Sequence, residues 1–339
     1  MRRLLLLALL ALSVAGCGKV TEVREPDVFA GQGIKPAPSA DGRAPRGDAD
    51  IRIAVVTHGQ ASSTFWSTVR NGVDAAARQM NVSVTYRAPD SFSVDRMRDL
   101  INEAVDTRPD GLVVSIPDPA VGPAIRRAER AGIPVVSINS GSDLWRRFGV
   151  LAHVGQPEGA AGRGAGERLA AAGVRNAICI NQEVGNQALD IRCRAFAEVL
   201  RRHGGRSHVL ALNIENRNEA APKLAAEIER RKADGVLALN SGGALAALDA
   251  KKLGGRAAKV QIGSFDLQPE VLQAIKDGRI LFAVDQQAYL QGYMPIVMLT
   301  QDARYGLFPS RGQVVATGPN FVTREDAGLA LQLSGRGIR

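Results

Sequence analysis

The sequence predicts an α/β protein built as two lobes, each a parallel sheet covered by helices. Three observations carry this reading. From residue 51 onward, apolar runs of four to seven residues alternate with longer segments of helical periodicity, the pattern of strands buried on both faces. That alternation makes nine or more strands over about 285 residues, more than one hydrophobic core comfortably holds. The rhythm breaks once, at Gly149, Gly155, Pro157 and Gly159, which places a lobe boundary near His153.

In chain order, 51–56 reads as a strand, 64–79 as a helix, 82–86 as a strand and 94–105 as a helix. Then come a strand at 111–116, a helix at 120–131 and a strand at 133–138. Past the break, strands are expected at 174–180, 207–212, 235–239 and 259–265, with helices over 189–202, 222–231, 242–253 and 269–276. A further strand at 280–284 ends in Asp285-Gln286-Gln287.

In open α/β sheets ligands sit at the carboxyl ends of the strands, so the residues that follow each strand are the candidate site. The first strand leads through Thr57-His58-Gly59 to Phe65 and Trp66, and others end at Asp118, Asn139-Ser140, Asn240-Ser241, Asp266 and Gln286. Hydroxyls both donate and accept, so Asp, Asn, Gln and Arg bind them in forked pairs. Flat aromatics pack on the apolar C–H face of a sugar ring, and Phe65 and Trp66 stand adjacent in a chain with only 4% aromatic residues. Being adjacent on a helix they point about 100° apart, so one can pack inward while the other faces the cleft. Some of these residues have a second reading. Asp118 precedes Pro119 and reads more readily as an N-cap than as a ligand contact, and Asn240-Ser241 reads as either. Asn139 and Asp266 have no adjacent helix start to cap.

Ahead of the folded part, Arg2 and Arg3 precede an apolar run over 4–12 that is too short to span a bilayer. Val14-Ala15-Gly16-Cys17 resembles the bacterial lipoprotein signal, which implies a signal peptide over 1–16 and a lipidated Cys17. Residues 18–50 alternate Pro and Gly with charges and read as a flexible tether, about 30 Å in reach. The formal charge of +9 is spread along helical segments without basic blocks, so a nucleic-acid footprint is not expected. Cys179 and Cys193 are the only other cysteines, and they read either as a disulfide or as two buried thiols. No metal site or cofactor is expected, because no His or second Cys pair stands at ligand spacing.

Six stretches in order carry a resemblance. They are Phe65-Trp66; the run from Gly132-Ile133-Pro134 to Asn139; Val154-Gly155-Gln156; Gly185-Asn186 with Arg192; Gly263-Ser264-Phe265-Asp266; and Ala283-Val284-Asp285-Gln286-Gln287. Over about 51–325 the chain resembles the type I periplasmic binding proteins of the ribose- and galactose-binding kind, which serve ABC importers. The resemblance implies two similar lobes joined by a three-segment hinge, with 51–152 plus about 287–312 in the first and 153–286 plus about 313–330 in the second. It also implies that Phe65 and Trp66 stack on the ligand and that Asn139, Arg192, Asn240, Asp266 and Gln286 hold its hydroxyls. Asn139 stands where ribose binders carry an acidic residue, and the loop 213–218 lacks the aromatic they place there. The expected ligand is therefore a monosaccharide, a polyol or another small polar compound.

The implied partners are an ABC permease and, through Cys17, a membrane, with the monomeric protein in the periplasm or on the outer face of the cytoplasmic membrane. A sensor that docks to a membrane kinase or chemoreceptor would use the same binding chemistry. An enzyme is not expected, since no nucleophile elbow, P-loop or HExxH spacing occurs. A sugar-responsive repressor of the same architecture would begin with a helix-turn-helix, where this chain has a signal and a tether.

Overall fold

The computed structural model describes residues 50–59 and 63–339. Cys17, the signal peptide and the tether up to residue 49 lie outside the described residues. The first lobe is built from β1 (Arg52–Val56), α1 (Thr64–Met80), β2 (Ser83–Arg87), α2 (Val94–Asp106), β3 (Gly111–Ser115), α3 (Gly122–Arg130), β4 (Val135–Ile138) and β5 (Ala152–Gly155). The second follows with α4 (Glu158–Ala171), β6 (Asn176–Asn181), α5 (Gln187–Arg202), β7 (Arg206–Ala211), α6 (Arg217–Arg231), β8 (Gly235–Ala238), α7 (Ser241–Lys252), β9 (Gln261–Phe265), α8 (Pro269–Lys276) and β10 (Phe282–Asp285). The chain then returns through α9 (Ala288–Tyr305) and β11 (Val314–Ala316) and ends in β12 (Asn320–Val322) and α10 (Ala327–Ser334).

The two sheets repeat one plan. Their strand orders are β11-β5-β4-β3-β1-β2 and β12-β10-β9-β8-β6-β7, so β1 to β5 correspond one by one to β6 to β10. Every pairing is parallel except β10 with β12. The central strands carry Val, Ile and Leu with both faces covered: β3, β4 and β8 are buried along their whole length. That double cover is why they read in the sequence as unbroken apolar runs.

Helix α1 shows how local chemistry sets an element. Ser63 caps it by accepting from the Trp66 N–H at 3.4 Å, and Asn81 stops it in the left-handed conformation at φ 51°. Trp66, Val69, Val73 and Ala76 form its buried stripe. Against this helix lies α9, at a distance only glycine permits. A Cβ at Gly72 would stand 2.0 Å from the Tyr289 carbonyl oxygen, and one at Gly292 would stand 1.9 Å from that of Val69. The returning segment is thereby locked onto the first lobe.

Two expected boundaries shift. Residues 153–155, expected in the second lobe, belong to β5, which pairs with β4 in the first sheet. The glycines and Pro157 punctuate the crossover that follows this strand. Likewise β11, expected in the second lobe, pairs with β5. The chain therefore passes between lobes after Gly155, after Asp285 and between Ala316 and Asn320. The helix expected from residue 120 is preceded by one 3-10 turn, Pro119–Val121.

Cys179 on β6 and Cys193 on α5 are joined as a disulfide, Sγ to Sγ 2.02 Å, which resolves the two readings left open by the sequence. His153, on β5, is held by Ser137 Oγ at 2.9 Å from Nδ1. Burial pushes its imidazole down to about 3, so it stays neutral within the core.

Candidate functional site

The carboxyl ends of both sheets face one cavity of about 610 Å³, within the range that encloses a small molecule. Asn139 and Asp266 show why those ends become a site. Asn139 follows β4 and Asp266 follows β9, corresponding strands of the two lobes. Each N–H bonds back to the neighbouring strand, Asn139 to Val154 O at 3.1 Å and Asp266 to Val284 O at 2.9 Å. Both residues have left-handed backbones, φ 60° and φ 66°, which Asn and Asp tolerate better than other side-chain-bearing residues.

Beneath the cavity lies a buried polar cluster centred on Gln286. Its Oε1 accepts from Arg192 Nη2 at 3.0 Å, Gln156 Nε2 at 3.2 Å and Asn139 Nδ2 at 3.4 Å. Its Nε2 donates to Asp266 Oδ1 at 2.5 Å. Arg192, 3% exposed, is gripped in turn by the carboxylate of Glu158, with Nε to Oε2 at 2.6 Å and Nη2 to Oε1 at 3.0 Å. The guanidinium also lies 4.5 Å from the centre of the Phe265 ring. A buried ion pair is retained only with this kind of geometry, since each charge loses its hydration.

The electrostatics follow from that packing. Burial acts most strongly on Asp266 and pushes its carboxyl up to about 7, against the charge of Arg192 and the Gln286 hydrogen bond. Burial alone would lower Arg192, but Glu158, Asp266 and Glu183 together hold it above its ordinary value. Burial also works to raise Glu183, yet the hydrogen bonds of His58 and Asn186 and the nearby charges hold it low.

A second set of contacts joins the lobes across the front of the cleft. Asn186 caps α5 by accepting from the Ala188 N–H at 3.1 Å. The same side chain receives Ser140 Oγ at 3.3 Å, donates to Glu183 Oε2 at 2.7 Å and meets His58 Nε2 at 3.2 Å. His58 is anchored through Nδ1 to Ser115 Oγ at 2.8 Å. Beside it, the Gln187 N–H donates to the Pro117 carbonyl at 2.9 Å.

Of the residues expected at the site, Phe65, Trp66, Asn139, Arg192, Asn240, Asp266 and Gln286 line this cavity. Phe65 is half-buried and Trp66 is 5% exposed, their rings edge to face at 5.1 Å. Trp66 is thus largely a core residue whose edge reaches the cleft. Asn240 caps α7 through its Oδ1, 2.8 Å from the Gly243 N–H, while the adjacent Ser241 Oγ is buried at the cavity without a partner among the described residues.

Asp118 is a correction. Its carboxylate accepts from the Ala120 N–H at 2.7 Å, capping the turn opened by Pro119, and it does not line the cavity. The capping reading prevails because a carboxylate two residues before that N–H satisfies it locally.

Gln182, Glu183 and Phe92 also line the cavity, and Glu158 lies behind it, although none of the four stands out in the sequence. Reading off the tip of β6 as for the other strands finds Gln182 and Glu183. Ile214, in the loop without an aromatic, supplies an apolar wall on the second lobe's side.

Fold and site together define a two-lobe α/β protein with a polar cavity at the strand ends, beside the three crossovers. A periplasmic binding protein domain matches residues 53–305, and the chain belongs to that family of solute-binding proteins. It is similar to the carbohydrate transporter from Acidothermus cellulolyticus solved in complex with myo-inositol, at 33% identity and a TM-score of 0.78 over 86% of this chain and 100% of that one. It is 28% identical to the xylitol-binding protein of Mycolicibacterium smegmatis, over 83% of this chain and 79% of the relative. The periplasmic sugar-binding protein of an ABC transporter from Legionella pneumophila shares the fold at 22% identity, with a TM-score of 0.73 over 79% of this chain and 99% of that one. Among the described residues no helix is long and apolar enough to cross a membrane.

Proposed function

We propose that this chain captures an uncharged polyol or monosaccharide in the cleft and delivers it to an ABC importer. The observation that carries the reading is the make-up of the walls. Asp266, Arg192, Asn240, Ser241 and Gln182 offer donors and acceptors for hydroxyls, and Phe65, Trp66 and Ile214 offer apolar faces. Among the described residues Arg192 is the only Lys or Arg lining the cavity, and its charge is matched by Glu158. Similarity to a transporter holding myo-inositol and to a xylitol-binding protein supports placing polyols first.

The lobes close by bending at the three crossovers, with Phe65, Trp66, Asn139, Arg192, Asn240, Asp266 and Gln286 as ligand contacts. Residues 1–16 serve as the export signal, Cys17 carries the lipid, and 18–50 tether the monomer to the membrane. Replacing Cys17 with Ser then moves the exported protein from the membrane to the soluble fraction.

The binding claim is tested by melting the protein against xylitol, myo-inositol, pentoses, hexoses and sugar acids. A ligand at a hundred times its dissociation constant adds about 2.7 kcal/mol, a rise of about 5 °C. A rise with a neutral polyol or sugar that vanishes in Asp266→Ala supports the reading. No rise with any neutral member of the panel rejects it.

A further inference from the structure

Glu158 is the least exposed charged side chain in this region, 1% exposed at the first turn of α4. It does not line the cavity, whereas Arg192, the residue it grips, does. The guanidinium therefore stands between the ligand space and the carboxylate. Glu158 holds it by two parallel bonds and accepts a third from Gln156 Nε2 at 3.1 Å. Two consequences follow from this order of groups. The Arg192 rotamer is fixed before any ligand arrives, with Nε committed to Glu158 and Nη2 shared between Glu158 and Gln286. Its positive charge is also cancelled from behind, in a region where solvent screens little.

The remaining charges near the cavity point the same way. Among the described residues Glu183, Glu215 and Asp266 line it, no lysine does, and the other basic side chain there is His58, which faces Glu183 with Nε2 3.5 Å from Oε2. A carboxylate or phosphate brought into this space meets acidic groups without an uncompensated cation to receive it. An uncharged hydroxyl compound meets donors and acceptors at no such cost.

We infer that Glu158 is a positioning residue that sets the ligand class of the cleft, orienting Arg192 for hydroxyls while neutralising it so that acidic sugars are refused. This deepens the proposed polyol or monosaccharide function and rests on it. Removing the charge while keeping the shape, in Glu158→Gln, leaves Arg192 at the cavity wall without the carboxylate that pairs with it. Selectivity then moves toward acids, an outcome that a purely structural role would not produce.

The test measures dissociation constants for matched neutral and acidic compounds, xylitol with D-xylonate and D-galactose with D-galacturonate. The wild-type protein is expected to favour the neutral member by about 100-fold or more, and Glu158→Gln to reduce that ratio at least about tenfold. Glu158→Asp, which restores the charge, is expected to recover the preference. An unchanged ratio in a folded Glu158→Gln protein overturns the inference. Should that variant fail to fold, the wild-type ratio decides: a preference below about tenfold, or a preference for the acid, overturns it equally. Binding of neither neutral compound nor any other neutral polyol or sugar removes the functional reading itself, and this inference with it.

Discussion

Gln156 and Gln286 stand at the same place in the two lobes, each the first residue after the fifth strand of its sheet, and Gln156 Nε2 donates to Gln286 Oε1 at 3.2 Å. Two crossovers of the hinge thus touch through equivalent side chains. The third joins them through Gln291, whose Nε2 donates to Thr317 Oγ1 at 3.2 Å and to the Gln286 carbonyl at 2.9 Å. The three crossovers are thus tied to one another by the polar cluster beneath the cavity.

Gln286→Ala removes the acceptor shared by Arg192, Gln156 and Asn139. Leaving buried donors without partners costs about 1–3 kcal/mol, so ligand affinity should fall about 10- to 100-fold with a lower melting temperature. Calorimetric titration against wild type checks this, and an unchanged affinity would show that the cluster is not part of the site.

Asp266 gives a pH signature. Burial lifts its carboxyl from the ordinary 3.8 to about 7, so the folded state holds the proton more tightly than the unfolded chain. The sign follows from linkage: this group costs nothing below about pH 4, erodes stability as pH rises to about 7, and adds no further loss above. Asp266→Asn removes that erosion. Urea unfolding should show the variant gaining on wild type between pH 4 and 8, by a few kcal/mol at most. Glu183 is shifted in the opposite direction and is common to both proteins, so it largely cancels in the difference.

Gly72→Ala places a methyl 2.0 Å from the Tyr289 carbonyl oxygen. The α1–α9 crossing must open, at a cost of about 1–3 kcal/mol or more. Because α1 carries Phe65 and Trp66 at its start, affinity should weaken along with stability. Thermal unfolding and ligand titration of the variant measure both.

Arg339 reaches back to the hinge, where its Nε meets Asp285 Oδ2 at 2.7 Å beside Gln286. Asp285 is 5% exposed at its side chain, so Arg339→Ala leaves a buried carboxylate without its cation. A loss of about 1–3 kcal/mol is expected, readable as a lower midpoint in urea, while Arg339→Lys should recover part of it.

Much of the fold was legible because the chemistry was local. Runs such as 111–116 and 133–138 are apolar on both faces, and only covered parallel strands have that need. Asn139 and Asp266 stood out as polar strand ends with no helix start to cap. Arg192 was reached through the family resemblance, since nothing local marks an arginine in mid-helix as a ligand contact. Helix α4 was missed because small residues form much of its packing face. Ala161 and Ala165 are buried there, and Gly162 sits where a Cβ would come within 2.4 Å of the Arg192 carbonyl oxygen. Its apolar stripe is therefore faint. With that helix went Glu158, which in sequence looks like an ordinary acidic residue of a first turn. Asp118 failed in the other direction, as a strand-end carboxylate absorbed by a backbone N–H.

The central claim is that the cleft holds a neutral hydroxyl compound on Asp266 and Arg192. Its most direct test is calorimetric titration of xylitol and myo-inositol into the wild-type protein and into Asp266→Ala. The account predicts one site per chain for at least one of the two compounds, with affinity lost in the variant while its fold is retained. Binding that survives Asp266→Ala unchanged, or no binding of either compound to the folded wild type, would contradict it.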